Sequence, residues 1–330
     1  MSNKDVWKVA VVGCGNIGSR HLQGLAKIGH VTEVYAVDPR PQAIEVAKQR
    51  IAEVTLNNEV SFKFLSTIDD LPPAFNLVIV ATAADGRKDL VESLAAERSV
   101  GALVLEKFLF QSLADYDVVD TLLSQKGIHC WVNTPRRVFA AYKNLKQKLA
   151  DAGPITLIAE SNKINSLTTS AIHLIDLFAY LANTDEIELD GRGLKLEQNA
   201  GRRSGYLEFS GLLIGQSARG DTFFFRGRPD IETPSKIVIA SAKETTVIDE
   251  ANQNIVSFDR ASRCAPASES FRIPLISEVS GGIAERIIRN ASSDLPTYEE
   301  SARLHRACLR AFLDGIGQAR NNQTYHCNVT

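Results

Sequence analysis

The chain has 330 residues, 44% of them hydrophobic and 23% charged, with a formal net charge of −2. That length supports two domains at roughly 100–200 residues each. The near-balanced charge argues against the polybasic field that nucleic acid or an anionic membrane requires, and no apolar run approaches the roughly 20 residues that span a bilayer.

In chain order, strands are predicted at Lys8–Val12, Glu33–Val37, Phe62–Leu65, Leu77–Ala81, Leu103–Leu105 and His129–Val132. Helical patterns separate them. Ile44, Ala47 and Ile51 share one face behind Pro41, a favourable first helical residue. Ser112 and Asp115 resemble the start of a helix that stops at Gly127. Such alternation implies a doubly wound parallel sheet whose ligands sit at the carboxyl ends of the strands. After Thr134-Pro135 the pattern changes. A helix carries Val138, Tyr142, Leu145 and Leu149 on one face and stops at Gly153-Pro154. Ile155–Ser161 reads as a strand and Ala171–Leu181 as an apolar helix. Strands follow at Tyr206–Phe209, Leu212–Ser217, Thr222–Phe225, Lys236–Ala240, Thr245–Ile248 and Ile255–Phe258, spaced by turn residues. Strands this close, without helices between them, imply a mostly antiparallel sheet. Helices at Leu275–Asn290 and Tyr298–Gly315 close the chain. The expected organisation is α/β: a Rossmann domain over residues 1–133, then an α+β domain with one open sheet over residues 134–330.

The most informative stretch runs from Val9 to Asp38. An apolar run ends in Gly13-Cys14-Gly15-Asn16-Ile17-Gly18, a helix follows, and a second apolar run ends in Asp38, twenty positions beyond Gly18. Alone, GxGxxG is weak; with a strand before, a helix after and an acid at this distance it specifies a dinucleotide site. Gly13 turns the chain sharply, Gly15 admits a pyrophosphate to the backbone, and Gly18 packs the helix on the strand. The N–H groups of Asn16 and Ile17 are expected to face the phosphates. Asp38 is expected to accept the ribose hydroxyls, which favours NAD, while Arg40 two residues on can pair with a 2′-phosphate and so admits NADP.

The first strand begins almost at once, which leaves no room for a signal peptide. The five cysteines, Cys14, Cys130, Cys264, Cys308 and Cys327, are scattered without CxxC spacing, a pattern of reduced thiols. A cytoplasmic protein is expected. The six histidines and five cysteines do not cluster at metal-ligand spacings, and no GxSxG nucleophile motif is present.

Six segments in order resemble one family, the glucose–fructose oxidoreductase, inositol dehydrogenase and rhizopine-catabolism (Gfo/Idh/MocA) family: VVGCGNIGSRHLQGL, LVIVATAADGRKDLVESLAA, VLEKFLFQSLAD, VNTPRRVFAAYKNLK, AIHLIDLFAYL and LPTYEESARLHRACLRAFL. The resemblance covers nearly the whole chain. It implies NAD(P)-dependent hydride transfer at a secondary alcohol or ketone of a sugar or cyclitol, and a homodimer or homotetramer built through the open sheet. VNTPRR and HLIDLF are similar to members from bacterial surface-sugar pathways.

The resemblance also implies site residues. Lys107 matches the family lysine beside the nicotinamide, whose ammonium stabilises a developing alkoxide. Glu106 holds that lysine or the nicotinamide ribose, or is a solvated acid. Phe108 replaces the family proline, so a trans Lys107–Phe108 peptide is expected. His173 matches the histidine that takes and returns the hydroxyl proton. Thr169 replaces the usual Asp one turn earlier and can orient a substrate hydroxyl. Asp176 shares a face with His173 and either pairs with it or is a structural acid. Asn133 belongs near the nicotinamide and Thr82 lines the cofactor groove. Either Arg136 or Arg137 holds an anionic substrate group, the other being solvated or an interdomain contact, and Lys163 is a further substrate candidate. Arg87 stands where many members have a histidine. Two other functions share the fold: glycosidases that use bound NAD for transient oxidation, and non-enzymatic dinucleotide-binding sensors.

Overall fold

The computed structural model describes residues 6–30, 32–162, 166–197, 205–232, 236–262, 265–317 and 326–329. They form two compact units, one of Met1–Phe110, Ala114–Pro135 and Pro274–Tyr298, the other of Gln111–Leu113, Arg136–Ile273 and Glu299–Thr330.

The first unit contains β1 (Trp7–Val12), α1 (Gly18–Leu25), β2 (Thr32–Val37), α2 (Pro41–Ala52), β3 (Val60–Leu65), β4 (Ala74–Phe75), β5 (Leu77–Val80), α3 (Arg87–Glu97), β6 (Ser99–Val100), β7 (Ala102–Leu105), α4 (Leu113–Lys126) and β8 (His129–Val132). Six strands form a parallel sheet in the order β3-β2-β1-β5-β7-β8, and β4 pairs with β6 apart from it. Val9 to Val12 and Leu77 to Val80 are buried throughout, as strands covered on both faces must be. The strand order reverses between β1 and β5, where Val12 pairs with both Val37 and Val80. Such a switch point opens a crevice at the carboxyl ends of the strands.

The first unit also takes a segment expected in the second domain. Helix α7 (Ile276–Asn290) packs on α1 at backbone distance. A Cβ on Gly24 would meet Ser280 Cβ at 2.9 Å, and one on Gly281 would meet Gly24 O at 2.8 Å. Val132 N–H donates to Pro296 O at 3.1 Å, which fastens the following residues to β8. The boundary at residue 133 therefore misses Pro274–Tyr298. Only the small-residue face of α7 matches it to α1, and the local sequence pattern does not carry that return.

The second unit contains α5 (Ala140–Leu149), β9 (Thr156–Glu160), α6 (Leu167–Ala182), β10 (Glu188–Leu196), β11 (Phe209–Gln216), β12 (Thr222–Gly227), β13 (Ile237–Ala240), β14 (Glu244–Asp249), β15 (Asn254–Asp259), β16 (Ala267–Ser270) and α8 (Tyr298–Gly317). Its eight strands run β10-β11-β12-β9-β13-β14-β15-β16, antiparallel except for β12 with β9. The inner face is buried: Phe223 packs on Phe178 of α6 with centroids 5.6 Å apart, and Phe209 stacks on Phe312 of α8 at 4.8 Å. On the other face, register aligns Ile214, Phe224, Ile158, Val238, Val247 and Val256 in one row across six strands. Ile158 remains 45% and Ile214 37% exposed.

Of the strand expected at Tyr206–Phe209 only Phe209 is extended into a sheet, and it is continuous with the strand expected at Leu212–Ser217 in one strand, β11. Gly211 reads as a turn in sequence, but it sits inside β11 at φ +92°, where a Cβ would collide with Gly193 O. β10 was not resolved as a strand by its pattern because its register shifts between Asp190 and Gly193. β16 has no apolar alternation to find: all four residues are exposed.

Candidate functional site

The glycine loop leaves β1 at the switch point. Gly13 has φ +94°, and a Cβ there would lie 2.9 Å from the Ala81 and Thr82 backbone. A Cβ on Gly18 would lie 1.7 Å from Gly13 O. Both glycines are thus required by packing. Gly15 is different: among the described residues, a Cβ there would meet only Arg40 Nη2, at 3.6 Å. Gly15, Asn16 and Ile17 form a solvent-facing rim between buried Gly13 and Gly18. Here the leading N–H groups of α1 lie without intrahelical partners, as anion donors require. The interior therefore explains two of the three glycines and leaves the third to a ligand. The loop is braced from α2, since Arg50 donates to Asn16 O at 2.5 Å, Asn16 Oδ1 at 2.8 Å and Ser19 Oγ at 2.6 Å. Sequence reading missed Arg50, which lies 34 residues from Asn16.

Asp38 follows β2 with a buried side chain. Its Oδ2 accepts Cys14 N–H at 2.9 Å and Arg40 Nη2 at 3.0 Å; its Oδ1 accepts Arg40 N–H and Nε, each at 3.0 Å. Burial would raise the carboxyl, but the Arg40 side-chain and backbone bonds and the Cys14 N–H outweigh it and hold Asp38 below its ordinary value. The arginine and the acid, read separately in sequence as alternatives for cofactor choice, are one ion pair.

The tips of β5, β7 and β8 carry a second cluster. Glu106 is buried, with Oε1 3.0 Å from His21 Nε2 and accepting from Asn133 Nδ2. His21 Nδ1 lies 2.8 Å from Ser280 Oγ, whose own proton goes to Ile276 O at 2.7 Å. Burial would raise Glu106, but the His21 hydrogen bond and charge, with Asn133, bring it below its ordinary value. With Glu106 ionised, its carboxylate accepts from His21 Nε2. Glu106 is thus no solvated acid. His21 was missed because it lies 85 residues from its partner.

Lys107 follows, half-buried, and its peptide to Phe108 is cis, not trans as expected. The expectation rested on the intrinsic preference of a non-proline peptide. It took no account of surroundings: Phe108 is buried, and Arg87 binds the carbonyls of Glu106 and Phe108. Two buried hydroxyls near these tips, Thr82 Oγ1 and Thr134 Oγ1, have no hydrogen-bond partner. The Thr82 orphan, the open rim at Gly15 and the acid at Asp38 all fit a dinucleotide at the switch point.

In the second unit, α6 starts at Ser166, whose Oγ accepts Thr169 N–H at 3.3 Å. Thr169 Oγ1 lies 3.1 Å from the same oxygen, so this threonine takes part in the helix start. His173 sits half-buried one turn on. Asp176, 1% exposed, is gripped by Arg137: Nε lies 3.0 Å from both oxygens and Nη2 2.8 Å from Oδ1. Asp176 is therefore the acid of a buried ion pair. Arg136 forms a second bidentate pair with Glu250, at 2.8 and 2.7 Å, and Glu250 also accepts the Tyr142 hydroxyl. Each arginine expected to hold a substrate anion, or to face solvent, already binds a carboxylate of its own unit. Those carboxylates lie 39 and 114 residues away, beyond any local pattern. Lys163 lies outside the described residues.

Among the described residues, no group of three or more His, Cys, Asp or Glu side chains is arranged to hold a metal ion, and no helix is long and apolar enough to cross a membrane. Cys14, Cys130, Cys308 and Cys327 are buried and form no disulfide; Cys264 lies outside the described residues.

Residues 7–134 match the family model for Gfo/Idh/MocA, the oxidoreductase family with an NAD-binding Rossmann fold. Solved structures similar to the chain include an oxidoreductase from Agrobacterium radiobacter in complex with NAD+, L-tartaric acid and magnesium. It is 13% identical with TM-score 0.73, and the match covers 94% of this chain and 97% of that one. UDP-N-acetylglucosamine 3-dehydrogenase from Acidithiobacillus ferrooxidans is 14% identical with TM-score 0.72, covering 93% and 97%. The super-repressor mutant of Gal80p from Saccharomyces cerevisiae is 13% identical with TM-score 0.72, covering 95% and 97%. Identities this low establish the shared fold alone. No curated protein sequence matches the chain.

Proposed function

From a chain whose residues 7–134 belong to the NAD-binding Rossmann module of the Gfo/Idh/MocA oxidoreductases, we infer an NAD(P)-dependent oxidoreductase acting on a secondary alcohol or ketone of a sugar or sugar derivative. The observation that carries this reading is Gly15, a glycine that the protein's own packing does not demand, on an exposed rim at the switch point. The nicotinamide, when bound, supplies the hydride acceptor or donor. Asn16 and Ile17 N–H groups hold the pyrophosphate, Asp38 the adenosine ribose, and Thr82, Glu106 and Asn133 the groove at the other strand tips. Lys107 hydrogen-bonds the reacting oxygen, and His173 takes or returns the hydroxyl proton. A nucleotide-linked or free sugar as substrate is supported by the neighbouring dehydrogenase named for UDP-N-acetylglucosamine.

The test has two arms. Binding of NADH and NADPH is titrated against wild type and Gly15→Val, and nicotinamide absorbance is followed with a panel of sugars and nucleotide sugars. Wild type binds and turns over. Gly15→Val loses binding, and Lys107→Ala retains binding but loses about 10²–10⁴-fold in kcat. Full turnover in Lys107→Ala overturns the site assignment. Tight binding with no turnover on any sugar supports a sensor instead, a reading favoured by the fold shared with Gal80p. Sugar release without net NADH supports the glycosidase reading.

We further propose a homodimer or homotetramer formed through the open sheet. The apolar row from Ile214 to Val256 is the surface that would be covered. Sedimentation of wild type and Ile158→Lys tests this: a wild-type monomer refutes it.

A further inference from the structure

Arg87 is the first residue of α3 and is completely buried. A guanidinium cannot shed its proton, so burying one is costly unless its donors are matched. A cation at a helix N-terminus also opposes the helix dipole, so α3 itself gains nothing from arginine here. The compensation comes from four backbone carbonyls. Nη1 shares its two N–H groups among three acceptors, Glu106 O at 2.5 Å, Leu109 O at 3.0 Å and Phe108 O, and Nη2 donates to Thr82 O. Three of these acceptors flank Lys107 on both sides, and the fourth belongs to the tip of β5. All five residues lie in the first unit.

We propose that Arg87 is a positioning residue: its buried guanidinium ties the backbone on both sides of Lys107 to the β5 tip and thereby sets where the Lys107 ammonium is presented. The consequence for turnover rests on the reading of Lys107 given above; the restraint on the segment does not. Nothing in the chain near Arg87 replaces it, because only a fork of several N–H donors can reach carbonyls on two separate strand tips. Lysine keeps the charge but offers a single nitrogen.

The experiment compares Arg87→Lys and Arg87→Met with wild type in the cofactor-free protein by amide hydrogen exchange, and then in nucleotide binding and turnover. In Arg87→Lys, amides from Lys107 to Phe110 exchange at least about tenfold faster, the loss of one charge-assisted hydrogen bond, while β1 and β2 amides keep their wild-type rates. ADP-ribose, which lacks the nicotinamide, binds within about twofold of wild type, whereas NADH binds more weakly. With the sugar that turns over, kcat falls more than KM rises, and Arg87→Met is the more severe variant. Unchanged exchange at Lys107–Phe110 in Arg87→Lys overturns the proposal. So does acceleration spread equally through β1 and β2, or loss of the fold in both variants, each of which makes Arg87 a fold element only. If the segment loosens while Lys107→Ala retains full turnover, the restraint stands and the role of Lys107 fails. If Lys107→Ala is inactive and Arg87→Lys matches wild type in exchange and kcat, the positioning role alone fails.

Discussion

Arg40→Ala should switch cofactor preference, and the size of the effect follows from how Asp38 is used. A carboxylate offers about four lone-pair sites. In Asp38 all four are taken: two by Arg40 N–H and Nε on Oδ1, and two by Cys14 N–H and Arg40 Nη2 on Oδ2. Ribose hydroxyls can bond to Asp38 only when the Arg40 guanidinium withdraws. Its side chain is 67% exposed, so the pair is worth about 0–1 kcal/mol after screening. Removing the guanidinium therefore improves NADH binding by no more than about fivefold. The withdrawn guanidinium remains beside the ribose site, where a 2′-phosphate would gain about 1.5–3 kcal/mol from it. Arg40→Ala forfeits that and leaves the Asp38 charge to repel the phosphate, so NADPH binding weakens by about 10–100-fold. Calorimetric titration of both dinucleotides at one ionic strength gives the ratio, expected to move toward NADH by at least about tenfold. An unchanged ratio refutes the selectivity role of Arg40. A loss of NADH binding larger than that of NADPH refutes the acceptor count at Asp38.

Four further outcomes are expected. Gly18→Ala places a Cβ 1.7 Å from Gly13 O and destabilises by at least the roughly 1–3 kcal/mol of ordinary overpacking. Gly15→Ala melts within about 0.5 kcal/mol of wild type yet binds dinucleotide poorly; equal melting of the two variants would contradict the distinction between them. Folding lowers the Glu106 carboxyl below its ordinary 4.5, so its ionised form stabilises the fold above that pH, and the contribution is lost as pH falls through the folded value. Glu106→Gln should cost about 1–3 kcal/mol in urea unfolding at neutral pH, with the gap to wild type closing in acid; a constant gap argues against an ionised Glu106 in the fold. Asp176→Asn leaves Arg137 buried without its carboxylate and should cost about 3–5 kcal/mol, read from denaturant midpoints. Burial, with Asp38 adding to it, pushes the Cys14 thiol up to about 12, and burial alone does the same for Cys327. Neither should react with iodoacetamide in the native protein at neutral pH, as mass spectrometry would read; rapid alkylation of Cys14 would mean its burial is wrong.

What was legible in the sequence is what lies close together along it. The glycine loop, its helix and Asp38 occupy one stretch from Val9 to Asp38, so spacing alone carries the chemistry. The alternating strands of the first unit were legible for the same reason. His21, Arg50 and Arg87 were not, because they reach partners as far as 85, 34 and 22 residues away and their side chains have no distinguishing neighbours in sequence. The acid three residues beyond His173 was open to two readings. Arg137, 39 residues before it, binds it in a buried ion pair that no local pattern announces. Helix α7 follows the same rule: its apolar face is legible, but its return to α1 depends on Gly24 and Gly281 meeting at backbone distance.

These long-range contacts share a direction. His21 lies on α1, one turn beyond the glycine loop, and holds Glu106 at the β7 tip; Glu106 accepts from Asn133 at the β8 tip. Arg87 ties the β5 tip to the residues on either side of Lys107. The helix proposed to meet the pyrophosphate is therefore joined, through the buried His21–Glu106 contact, to the segment proposed to meet the nicotinamide, which the Arg87 guanidinium ties in turn to the β5 tip. A surface loop would leave the two ends of an extended dinucleotide to be ordered separately, each at an entropic cost on binding. Here the glycine rim and the lysine segment are parts of one braced body before any ligand arrives, which is the condition for holding a reacting carbon within reach of a fixed donor.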